Sequence, residues 1–148
     1  MYSVSGITYR IIAVGGMMLL LSVGLFVLGT FVTAGEKHSY RLWGTVTLVF
    51  AFLYCSYFGY KALKPTVEIH EGYLEKEYRD SRVAPPLPFT HAYVFTNNGD
   101  VMPRYYLDTF SKKEILGEEL ISGVLYRVYY EKDTRIILKV EICEGQGI

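Results

Sequence analysis

Two cysteines, Cys55 and Cys143, are all that this chain of 148 residues contains. A disulfide framework needs more, and Cys55 lies inside an apolar run, where a thiol packs as a small hydrophobe. Metal-ligand spacing is equally scarce, with three histidines and no paired Cys or His motif. Glu68, His70 and Glu71 hold only a fragment of a ligand set, because a metal site needs three or four ligands. No Gly-rich phosphate loop, G-x-S-x-G elbow or metalloprotease motif occurs, so no catalytic residue, cofactor or metal is expected. The chain reads as a non-enzyme. Asp, Glu and His are also missing from its two long apolar runs, which counts against a transport or proton path through them.

What the chain does have is those two runs. Ile11 to Thr33 is 23 residues without a charge, and Leu42 to Leu63 is 22 residues with Lys61 alone. A bilayer core of about 30 Å needs roughly 20 helical residues, so each run is long enough to cross it. A backbone in lipid finds no water to bond with and must be helical there. Residues 1–64 are therefore expected to form a two-helix transmembrane hairpin, with residues 65–148 as a separate polar domain. A cleaved signal peptide is the rival, since Val32-Thr33-Ala34 resembles a small-residue cleavage site. The first run exceeds the usual apolar region of a signal, and a second run follows it at once, so the hairpin is expected to be retained.

Small residues recur along both runs. Gly15, Ser22 and Gly29 stand seven apart, and Gly44, Thr47, Ala51, Cys55 and Gly59 follow at steps of three or four. Helices in lipid associate where small side chains let their backbones approach, so these stripes are the expected packing seam. The eight residues Ala34 to Arg41 read as a polar connection that keeps the helices antiparallel. The alternative is that one stripe faces another membrane protein or a second copy. Tyr9, Tyr40, Trp43, Tyr57 and Tyr60 sit near the run ends as an aromatic belt would, and Lys61 can snorkel outward. Basic residues near the spans number five on the terminal side and two in the connection, which places both termini in the cytoplasm.

After Pro65 the pattern changes to strands. Thr66 to His70 alternates with Val67 and Ile69 on one face, and Gly72 suggests a bulge before Leu74 and Tyr78. His91 to Thr96 and Val101 to Leu107 flank Asn97-Asn98-Gly99-Asp100 and read as a hairpin. Ser111-Lys112-Lys113-Glu114 fits a capping box for a short helix over Ser111 to Leu116. Val124, Tyr126, Val128 and Tyr130, then Ile136, Leu138, Val140 and Ile142, read as two amphipathic strands about a Lys132-Asp133 turn. The expected fold class is thus an α+β membrane protein, its tail an all-β OB- or SH3-like barrel of about five strands.

Charge divides with the architecture, at +4 over residues 1–64 and −4 over residues 65–148. An acidic tail argues against a nucleic-acid partner. Eight tyrosines fall in the tail, of which Tyr106 and Tyr129 are the expected exposed pair. Arg82 to Pro88 matches a polyproline recognition pattern, and Pro85, Pro86, Leu87, Pro88 and Phe89 make an unusually apolar loop. These residues, with Tyr106 and Tyr129, are the candidate partner-binding surface. The expected function is a membrane-anchored, non-catalytic binding or scaffold protein whose partner is another membrane protein or itself. The alternative is a membrane-tethered sensor holding a small ligand in the barrel mouth.

Overall fold

The computed structural model describes residues 2–78, 90–97, 104–117 and 119–143. Its contacts divide the chain into two compact units, Thr8–Leu63 and a second made of Met1–Ile7 with Lys64–Ile148. The expected cut at residues 64 and 65 thus omits the N-terminal segment, which packs with the tail domain.

The first unit is helical. Helix α1 (Ser5–Arg10) runs through one π-helical stretch, Ile11–Gly15, into α2 (Gly16–Phe31), and α3 follows as Ala34–Leu63. Both continuous helices, Ser5–Phe31 and Ala34–Leu63, are long and apolar enough to cross a membrane. The connection is shorter than the eight polar residues expected. Val32 is extended and breaks α2, and the Thr33 carbonyl accepts the N–H groups of Glu36 and Lys37. Ala34 to Arg41 therefore forms the opening turns of α3, where Glu36 suits the positive end of the helix dipole. At the far end α3 stops just before Pro65, which disfavours helical backbone in the residue preceding it. Lys61, expected to snorkel outward, is buried, with its ammonium over the Tyr57 ring at 5.8 Å.

The second unit is a five-stranded antiparallel open sheet in the order β3-β2-β1-β4-β5. Its strands are β1 (Val67–Tyr78), β2 (Thr90–Thr96), β3 (Arg104–Asp108), β4 (Leu125–Glu131) and β5 (Ile137–Ile142). Helix α4 (Thr109–Leu116) joins β3 to β4. The two outer strands approach at one point, a parallel bridge between Tyr106 and Ile136. Twelve residues long, β1 pairs with β2 on one side and β4 on the other. The core is built from Leu74, Tyr93, Phe95, Tyr105, Leu107, Tyr126, Val128 and Ile137.

Four local expectations change. Ile69 is 57 % exposed, because the face of β1 that reaches the core carries Leu74 instead. The register shift in β1 lies between Leu74 and Lys76, not at Gly72. At Gly72 an added Cβ would stand 3.0 Å from the Thr96 carbonyl oxygen, so glycine there permits the close approach of β2. Ser111 does not cap α4, which begins two residues earlier and buries Ser111 within it. In β5 the core residue is Ile137, while Ile142 is 63 % exposed. A register shift between Tyr129 and Tyr130, beside a wider turn than Lys132-Asp133, sets Ile137 opposite Tyr130, whereas Ile142 is the last residue of the strand. Arg135 adopts a left-handed φ of 54°, and the Glu131 carboxylate accepts hydrogen bonds from Thr134 N–H and Oγ1.

Candidate functional site

The sheet places polar groups at two ends of its core face. Toward the start of β1, Glu68 stands opposite Tyr130 of β4, and the Tyr130 hydroxyl donates to Glu68 Oε2 at 3.0 Å. Lys132 Nζ lies 3.0 Å from Glu68 Oε1. Hydrogen bonds from Lys132 and then Tyr130 hold the Glu68 carboxyl below its ordinary pKa. The Tyr130 ring meets Tyr105 at 4.6 Å, and the His70 ring meets Tyr105 at 5.7 Å. Burial, with the neighbouring Tyr130, pushes the Tyr105 phenol well above its usual range, so it stays a neutral hydrogen-bonding group. Glu68 and His70 share this environment, and among the described residues no group of three His, Cys, Asp or Glu could hold a metal.

At the other end, α4 is tied to β1 and β2. Glu77 Oε1 lies 3.0 Å from Lys112 Nζ and 3.1 Å from His91 Nδ1, and accepts the Tyr93 hydroxyl at 3.3 Å. His91 Nε2 is 2.9 Å from Thr109 Oγ1. Burial raises the Glu77 pKa, but the hydrogen bond and charge of Lys112, with His91 and Tyr93, outweigh it and leave Glu77 lowered. Sequence reasoning passed over this network because the pairs in contact are 14 to 35 residues apart and match no motif. Only the pairing of β1 with β2, and the return of α4, bring them together.

Of the expected partner-binding residues, Pro85, Pro86, Leu87, Pro88 and Phe89 lie outside the described residues. Tyr106 is half-buried on β3 and donates its backbone N–H to the Arg135 carbonyl at 2.9 Å. Tyr129 is half-buried on β4, where its hydroxyl donates to Glu141 Oε2 at 2.8 Å. The two tyrosines lie three strands apart in the sheet order, so they do not form a patch along it. The apolar feature that pattern reading missed is a cleft of about 270 Å³ lined by Leu116, Leu120, Ile121, Tyr126, Val140 and Ile142.

Along the helices, Gly15, Ser22, Gly29, Gly44 and Ala51 are buried. A Cβ on Gly15 would stand 2.4 Å from Cys55 Sγ, and one on Gly29 would stand 3.2 Å from Tyr40 Cβ. The Phe26 ring fills the equivalent space at Gly44, 3.2 Å away. Ser22 Oγ donates to the Gly44 carbonyl at 2.8 Å, a side-chain bond that joins α2 to α3. Thr47 instead bonds within its own helix, to the Trp43 carbonyl, and Gly59 has open space around it. A groove of about 490 Å³ between α2 and α3 is lined by Leu19, Leu48, Val49, Phe52 and Cys55 among others.

The N-terminal segment was also missed. Ser3 donates its N–H to the Leu138 carbonyl at 3.0 Å and its hydroxyl to Glu114 Oε1 at 2.7 Å. The Tyr2 ring lies 5.6 Å from the Tyr129 ring. A strand-like alternation in Tyr2-Ser3-Val4-Ser5 was the available signal, though too short to weigh alone. No family model, curated protein or solved structure matches the chain.

Proposed function

We propose that the chain is a two-span membrane protein that carries a small OB-like barrel and acts by binding another membrane protein. One observation carries the membrane reading: in the most apolar windows of the two long helices only 11 % and 17 % of residues are buried. The core helix of a water-soluble protein would bury most of such a surface, and exposed apolar area of this extent is what membrane contact would cover. The N-terminal segment packs in the same unit as the tail, which favours an even number of crossings and both termini on one side. The basic residues favour the cytoplasm as that side.

The barrel reading rests on topology. A first strand paired on both sides, a helix between the third and fourth strands, and the Tyr106–Ile136 bridge suit a partly open five-stranded Greek-key barrel. The binding reading takes Glu68 and Glu77 as structural groups, engaged in hydrogen bonds and ion pairs within the sheet unit. The sensor alternative draws on the Glu68, His70, Tyr105 and Tyr130 cluster, which sets polar atoms beside aromatic rings. Purification of the full chain in mild detergent from its native membrane tests the proposal. A stoichiometric membrane-protein partner is expected, and a chain that purifies alone at every detergent concentration would contradict it.

A further inference from the structure

Three polar side chains of the sheet unit stand in the order hydroxyl, imidazole and carboxylate. Glu77 pairs opposite Tyr93 in the register of β1 with β2, and His91 lies two residues before Tyr93 on the same face. Asp108 pairs opposite Thr90, so the next residue, Thr109, opens α4 beside His91. The Thr109 hydroxyl is 2.9 Å from His91 Nε2, and His91 Nδ1 is 3.1 Å from Glu77 Oε1. A carboxylate beside Nδ1 favours the proton there, which leaves Nε2 to accept the Thr109 hydroxyl. Nδ1 is buried and its contact is not aligned as a full hydrogen bond, a looseness that catalytic contacts show before substrate binds. Lys112 of α4 meets the same Glu77 oxygen at 3.0 Å and the Tyr93 hydroxyl donates to it at 3.3 Å, so the carboxylate is fixed from two elements. Thr109 is exposed whereas the His91 side chain is only 12 % exposed, so a reagent from solvent meets the hydroxyl first.

We propose that Thr109, His91 and Glu77 are the nucleophile, general base and orienting carboxylate of a site that hydrolyses carboxylic esters. The Thr109 hydroxyl adds to the ester carbonyl while its proton passes to His91 Nε2. The tetrahedral intermediate then breaks its bond to the alkoxy oxygen, which leaves as the alcohol with the proton from His91. Water, deprotonated by the same nitrogen, cleaves the acyl–Thr109 ester, releases the acid and restores the hydroxyl. Thr109 begins a helix, and the first-turn N–H groups of a helix lack carbonyl partners within it, which makes them donors of the kind that steady an oxyanion. Glu77 touches no substrate and is a positioning residue, so its structural engagement in the binding reading is the same part it plays here. The inference goes beyond that reading by adding an acyl-transfer chemistry to the sheet unit.

The test uses the full chain in nanodiscs with p-nitrophenyl acetate as substrate and a fluorophosphonate as covalent trap. Peptide mass analysis should place the acetyl or phosphonyl group on Thr109. Thr109→Val should abolish the modification and the ester turnover, and Thr109→Ser should keep both. His91→Gln should slow acylation about a hundred-fold or more. In the wild type the rate should rise with pH as His91 loses its proton, beside Glu77 of β1, Tyr93 of β2 and Lys112 of α4. Glu77→Gln should move that rise to lower pH, because the carboxylate favours the imidazolium, whereas a network that only ties α4 down has no such rise to move. No modification of Thr109, or modification at equal rates in wild type and His91→Gln, overturns the site. Should His91→Gln lose its cooperative melt, the wild-type profile decides, and a rate flat over about pH 5 to 8 overturns the proposal. Partner co-purification is read separately, so failure here leaves the binding function standing.

Discussion

In the helical unit the small residues Gly15, Ser22, Gly29, Gly44 and Ala51 are buried, with Phe58 and Lys61 toward the end of α3, while Leu20, Phe31 and Phe52 stand exposed. In the sheet unit the buried positions are Tyr93, Phe95, Tyr105 and Val128, while Glu71, Arg127 and Lys132 face outward. The same residue types thus occupy opposite places. Water expels large apolar side chains into a core, and the sheet unit follows that rule. Lipid does not distinguish a leucine from its own chains, so helices meet there through close backbone approach and an occasional hydrogen bond. The inverted unit is what the bilayer reading accounts for.

Substitutions at matched burial should break the two units in opposite ways. Val128→Asp places an unpaired charge in the sheet core, a loss of roughly 3–5 kcal/mol that exhausts much of a small domain's stability. Circular dichroism should show the strand signal lost while the helical signal of the full chain in detergent persists. Loss of both signals together would mean that the units do not fold separately.

Gly15→Leu should be the strongest single disruption of the helix pair, because even a Cβ there meets Cys55 Sγ at 2.4 Å. Gly24→Leu, where nothing lies within 4 Å, is the matched control and should be tolerated. Thermal stability in detergent checks both, and equal tolerance would remove the seam. Ser22→Ala is a milder probe. It deletes the bond to the Gly44 carbonyl, and such interhelical bonds average only about 0.6 kcal/mol.

Acid should act on the sheet unit alone. The carboxyls of Glu68 and Glu77 are depressed in the fold, so their stabilisation is complete above the unfolded value of about 4.3 and is lost as pH falls through the folded values. A melting series from neutral to acid pH should therefore decline below that point for the sheet signal. Lys132→Gln should flatten the decline, since Lys132 is the first cause of the Glu68 depression. An unchanged profile would deny Glu68 its structural part. The smallest effect is expected from Ile121→Ser at the exposed cleft rim, which should leave the melting temperature unchanged.

Long, uninterrupted patterns were legible and short ones were not. Two runs of more than 20 apolar residues specify two long helices almost without regard to tertiary context. The alternation of Tyr126 and Val128 likewise marked a core face that packing preserves. Where one residue of slippage reverses a face, pattern alone failed. Ile69 falls on the face of β1 opposite Leu74, and the register shift at Tyr129/Tyr130 drew Ile137 into the core. The Ala34–Arg41 stretch looked like a loop because it is polar, yet polarity does not oppose a helix whose first turn is capped by the Thr33 carbonyl. The Glu77, His91, Thr109 and Lys112 network and the N-terminal segment depend on contacts between distant segments, which no local spacing encodes.

The crossing of the bilayer by both helices is tested most directly by thiol labelling in intact cells. Ser39→Cys near the start of α3 and the native Cys143 after β5 should lie on opposite sides of the membrane. A membrane-impermeant maleimide should label Ser39→Cys before lysis and reach Cys143 only afterwards. Labelling of both sites before lysis, or of neither until lysis, would contradict a two-span hairpin.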